Sequence, residues 1–177
     1  IVPSSLGPLR VTTVASGLQN PWAIAFLPDK RALITERPGR LRLLTNGTLS
    51  APLSGVPAVW AQGQGGLLDV ALDPAFDANQ RIYLTYAEAG GDGRAGTVVA
   101  RARLVGQGLQ DVEVIFRQDP RLSTGNHFGS RLVFDHQGHL YVTLGENNVR
   151  ITAQYLDHHQ GKVVRLWPDG RIPADNP

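Results

Sequence analysis

A histidine ahead of a predicted hairpin and a carboxylate just behind it form the pair in this chain best suited to moving a proton. His127 stands in the Gly/Ser-rich stretch Ser123-Thr-Gly-Asn-His-Phe-Gly-Ser130, and Glu146 ends the run Leu140-Tyr-Val-Thr-Leu-Gly-Glu146. An imidazole titrates near neutrality, and a carboxylate on one ring nitrogen leaves the other free to accept a proton. The segments Arg131–Asp135 and Leu140–Thr143 flank the turn at Gln137-Gly138. Folded as a β-hairpin, they bring both residues to one end of a sheet. The chemistry is proton abstraction, with a partner required to take electrons or an acyl group. The competing reading makes His127 the cap of a strand turn and Glu146 the cap of the turn after it.

Other motifs carry less. Gly63-Gln-Gly-Gly-Leu-Leu68 places glycines at a strand entrance, where a flat ligand can approach the backbone, or where a loop is simply tight. Gly91-Asp-Gly-Arg-Ala-Gly96 matches the dinucleotide fingerprint by letter, but Thr97-Val-Val99 predicts a strand where the fingerprint needs a helix. His136 and His139 flank a turn and read as solvated. His158 and His159 read as structural. The histidines lack the compact spacing of a zinc helix, so no metal site is assigned to this chain. No serine lies in a strand-to-helix elbow, which disfavours a serine hydrolase.

The elements that must position these residues are strands. Arg10–Val14, Arg40–Thr45, Thr97–Leu104 and Lys162–Trp167 alternate or run β-branched, and Asn46-Gly47, Gln107-Gly108 and Asp169-Gly170 punctuate them as turns. No stretch keeps a helical period. One pattern recurs: apolar strand, Asp turn, apolar strand, then a second hairpin whose turn glycine is Gly47, Gly108 or Gly170, at a spacing of roughly sixty residues. Two hairpins make a four-stranded antiparallel blade. The fold class is therefore all-β, a β-propeller of about three blades, in one partial domain over 1–177 with units near 18–60, 61–122 and 123–177. Three blades do not close a ring, so a missing second half or a second copy is required.

Composition bounds the partners. A formal charge of +2 on 177 residues, with dispersed basic groups, argues against a nucleic-acid surface, and no apolar run is long enough to span a membrane. The absence of cysteine excludes disulfides and thiolate ligands. A chain beginning Ile1-Val-Pro3 without methionine has lost its first residues, removal of a secretory signal being one natural reason, and the expectation is a periplasmic or secreted protein.

Five motifs in order then carry a resemblance along the whole chain. They are Gly17–Pro28, Thr35–Leu41, Gly63–Pro74, His127–Arg131 and Gly161–Leu166. Together they resemble the soluble aldose sugar dehydrogenases of the glucose/sorbosone dehydrogenase family, which use pyrroloquinoline quinone and calcium on a six-bladed propeller. The resemblance implies that His127 is the general base and Glu146 its supporting carboxylate, where the family usually has aspartate. It implies that Gln64 contacts the cofactor and that Asn126 and Gln154 contact the sugar. The partners implied are an aldose and an external electron acceptor. The calcium ligands and most cationic contacts of the quinone are expected from a second half. Two other readings stand beside this one: a non-catalytic, self-assembling half-propeller binding module, and a metal-dependent lactonase of the same fold.

Overall fold

Short β-branched and aromatic runs between turn dipeptides fold here as antiparallel ladders. The computed structural model describes residues 1–177. Its strands are β1 (Pro21–Phe26), β2 (Ala32–Glu36), β3 (Arg40–Thr45), β4 (Thr48–Leu49), β5 (Leu67–Leu72), β6 (Arg81–Ala89), β7 (Ala95–Val105), β8 (Gly108–Arg117), β9 (Gly129–Phe134), β10 (Leu140–Leu144) and β11 (Val163–Leu166). One short helix, α1 (Phe76–Asn79), and a 3-10 turn at Arg150–Gln154 complete the list. No helix is long and apolar enough to cross a membrane.

The strands form three meanders, β1-β2-β3-β4, β5-β6-β7-β8 and β9-β10-β11. The first strands stand side by side, β1 against β5 and β5 against β9. The sheets therefore radiate from a common line, as propeller blades do. The two-residue period of a strand sends alternate side chains to opposite faces, and the middle sheet uses both. Ile82, Leu84 and Val98 pack with Leu33 and Leu41 of the first sheet. Tyr83 and Val99 point the other way, into Leu132, Leu140 and Val142 of the third. Each such aliphatic, fully buried, contributes roughly 1.5–3 kcal/mol. The outer faces of the end sheets have no such cover: Phe26 is 72% exposed and Val163 63%. The arc is open at both ends.

Several sequence expectations are corrected. Arg10–Val14 forms no strand, because its β-branched residues find no ladder partner and lie mostly exposed. The β7–β8 turn falls at Gly106-Gln107, one residue before the expected dipeptide, with Gly108 already in β8. Within residues 1–177 the third sheet has three strands. Its turn does form, Gly170 N–H donating to the Trp167 carbonyl. Beyond it Asn176 bonds the Arg165 side chain and carbonyl. His139 is not solvated: it is buried, its Nδ1 lies 3.0 Å from Asp135 Oδ2, and its ring packs on Trp167 at 4.2 Å.

Candidate active site

The starts of β5 and β9 and the ends of β6 and β8 meet on one face of the arc, as the pairings Leu67 with Tyr86, Val98 with Arg117 and Ala95 with Leu122 require. Two loops from neighbouring sheets meet there. Gln64 N–H donates to the Gly125 carbonyl at 2.7 Å. The contact needs glycine at 63, whose φ is +57° and where a Cβ would stand 2.4 Å from the Gly125 oxygen. Both loops rest on Trp60, whose ring also packs against Phe128 at 6.0 Å.

His127 sits on this junction with φ 51°. Left-handed backbone is tolerated better by His than by most residues, yet such conformations cost of order 1–3 kcal/mol and persist only when surroundings hold them. Here both sides of the residue are held. Its N–H donates to Gln64 Oε1 at 2.9 Å, and its carbonyl accepts from Asn147 N–H at 3.3 Å. The ring is 44% exposed, and its Nδ1 lies 2.5 Å from Glu146 Oε1. The extra methylene of glutamate has not displaced the carboxylate from the ring. The hydrogen bond from His127, outweighing the opposing effect of burial, holds Glu146 below the ordinary carboxylate value of 4.5. An ionised acceptor at Nδ1 fixes that nitrogen as the N–H and leaves Nε2 to take a proton.

The other predicted site residues are placed unequally. Gln64 is brought to His127, where its carbonyl oxygen accepts from the His127 N–H, while its Nε2 has no protein partner. Asn126 adjoins the pair and is held through its backbone, its carbonyl accepting from Asn147 Nδ2 at 3.1 Å. Gln154 ends the 3-10 turn, exposed, and makes no hydrogen bond to the other four.

One residue escaped the sequence reading. Arg37 donates from Nη1 to the Gly63 carbonyl at 2.6 Å, next to Gln64, and has no carboxylate partner. Its neighbour Glu36, fully buried, is taken by Arg40 at 2.9 Å and Arg42 at 3.2 Å. The signal was available in Glu36-Arg37-Pro38-Gly39-Arg40-Leu41-Arg42: one acid among three arginines cannot neutralise them all. A cavity of about 560 Å³ opens beside Arg94, Arg117 and Arg121 and does not include His127. Its arginines are bound to Asp92 and Glu88. No three His, Asp or Glu side chains converge as metal ligands.

The profile of the glucose/sorbosone dehydrogenases matches residues 18–177. The chain belongs to that family. It is 57% identical to the aldose sugar dehydrogenase YliI of Escherichia coli K12 over 96% of its length, and it spans about half of that relative, 47%. The apo crystal structure of the soluble Escherichia coli aldose sugar dehydrogenase superposes with a TM-score of 0.88 at 58% identity, over 90% of this chain and 47% of the other. The PQQ-bound aldose sugar dehydrogenase of Streptomyces coelicolor superposes at 0.81 with 28% identity, over 94% and 50%. These neighbours match the three radiating sheets as part of a propeller of that family.

Proposed function

We propose that this chain carries the proton-abstracting part of a quinone-dependent aldose dehydrogenase. The observation that bears the reading is His127, with Nδ1 on the Glu146 carboxylate and its ring open to solvent. Nε2 of His127 takes the proton of the anomeric hydroxyl, while Glu146 keeps the ring in the accepting tautomer and stabilises the charge it gains. Bound pyrroloquinoline quinone supplies the acceptor for the hydride leaving the same carbon, so the sugar loses two electrons and becomes a lactone. An external acceptor carries the electrons onward.

The residues present fit one edge of such a planar tricarboxylate. Arg37, with no acid to neutralise it, and the free Nε2 of Gln64 are donors beside His127. For calcium they offer no carboxylate set, since Glu146 is spent on the imidazole and no three acidic or histidine side chains converge; its ligands are proposed to come from the rest of the propeller. Asn126 and Gln154 are proposed sugar contacts. The exposed apolar outer faces of the first and third sheets support closure of the ring by a second half or a second copy. The same open faces favour, as the second reading, a self-assembling module without turnover.

The test is His127→Ala in the closed, quinone-loaded protein. Loss of a positioned general base removes about 10²–10⁴-fold of turnover. Unchanged turnover would falsify the assignment.

A further inference from the structure

Behind the His127–Glu146 pair lies a second pair that touches neither the ring nor the carboxylate. The Gln118 and Asn147 side chains are shut off from solvent, 2% and 0% exposed. Gln118 Nε2 donates to Asn147 Oδ1 at 2.6 Å, and Asn147 Nδ2 donates to the carbonyl of Asn126 at 3.1 Å. Gln118 is itself anchored in the second sheet, its Oε1 accepting from Thr97 N–H at 3.3 Å and its N–H donating to the Thr97 carbonyl at 2.9 Å. The backbone of Asn147 completes the circuit. Its N–H reaches the His127 carbonyl, and its own carbonyl accepts from the Thr124 hydroxyl.

A continuous hydrogen-bonded path thus runs from β7 through two buried amides. It arrives at the residue before the base and at the residue after its carboxylate. We infer that Gln118 and Asn147 are positioning residues: an amide clamp that sets the separation of the His127 imidazole from the Glu146 carboxylate. The inference rests on the reading of His127 as the base.

Energetics favour this over simple filling. Buried amides stabilise a fold little more than apolar groups of the same shape, and they become costly when any polar atom is left over. In this pair both oxygens and both nitrogens have partners, and all but the Thr97 link converge on the two loops bearing the reacting pair. Asn147 also holds φ at 50°, a conformation that asparagine tolerates better than most residues. The two amides follow strands of two different sheets, β8 and β10, and the clamp spans the junction that His127 bridges, so small shifts between blades reach the base through it.

The experiment uses the closed, quinone-loaded protein and Asn147→Gly, which accepts the left-handed backbone and deletes the amide. A base displaced by about an ångström loses roughly 10²-fold in rate. The expected result is therefore a kcat lower by about 10- to 100-fold with KM little changed. The downfield proton of the His127 Nδ1–H, assigned by its absence from His127→Ala, should shift or vanish in the cofactor-free variant. Gln118→Glu keeps the acceptor for Thr97 but sets oxygen against oxygen at Asn147. It should behave alike, and it decides the matter where Asn147→Gly does not fold. Full kcat with an unshifted proton signal, even at lowered thermal stability, overturns the clamp. His127→Ala separates the two ideas. If it alone abolishes turnover, the base stands without the clamp; if it leaves turnover intact, the base falls and the proton signal still judges the clamp.

Discussion

A Cβ placed on Gly145 would lie 1.8 Å from the carbonyl oxygen of His127 and 2.4 Å from its carbonyl carbon. The two backbones touch at the point where the hairpin ends return to each other. That contact is what lets the next residue, Glu146, reach Nδ1 of the imidazole. The His127 carbonyl has little freedom to retreat, because Asn147 N–H donates to it. Gly145→Ala must therefore drive the loops apart. Overpacking of this kind costs roughly 1–3 kcal/mol, read as a lowered denaturation midpoint. Turnover should fall further than the stability loss explains, because separation of the base from its carboxylate is the direct consequence. An alanine variant with the parent's midpoint and turnover would contradict the close contact.

Glu146 should leave its mark on acid stability. Its folded-state value lies below 4.5, chiefly through the hydrogen bond from His127. In acid the unfolded chain therefore binds its proton first, and folding stability rises with pH through that window. The contribution is complete above the ordinary value and is lost as pH falls through the lowered one. Glu146→Gln should thus be less stable than the parent near neutrality, with the gap closing below about pH 4.5. The carboxylate is partly exposed, so the gap is modest. Urea midpoints across pH check it, and a gap constant into strong acid would remove Glu146 as the source.

Much of this arrangement was legible before the fold was seen, for a physical reason. Period-two alternation in Arg40-Leu-Arg-Leu-Leu-Thr45 and the turn signal Asn46-Gly47 are local, and the hairpin β3–β4 obeys them. The meeting of His127 with Glu146 was also local, since one hairpin joins them. What stayed hidden depends on contacts between sheets. Arg10–Val14 has strand propensity and no edge to join, a fact no window of sequence contains. His139 looked solvated beside Gln137-Gly138 because the covering Trp167 comes from β11's far end. The bond from the His127 N–H to the Gln64 oxygen joins loops of two sheets, and no local pattern announces it. The Gln118–Asn147 pair had no signal at all, because two amides far apart in sequence announce nothing until the blades bring them together.

Arg37 gives the sharpest separation between the quinone reading and a merely structural one. Of its five N–H donors, one is committed to the Gly63 carbonyl at 2.6 Å. Glu36, the nearest acid in sequence, is taken by Arg40 and Arg42, so the positive charge beside Gln64 is unneutralised by protein. A carboxylate of a planar quinone would meet it in charge-assisted hydrogen bonds worth about 1.5–3 kcal/mol. Arg37→Gln should weaken quinone binding to the closed protein by about 10- to 100-fold in an absorbance titration. Two controls fix the cause. The neutral triester of the quinone should bind parent and variant alike, because the charge contact is gone from both. The His127 Nδ1 proton signal should be unchanged, which shows that the loop still stands without this arginine. Equal affinity of parent and variant for the tricarboxylate would return Arg37 to the role of a loop brace and leave the cofactor's anionic edge to be held from outside this chain.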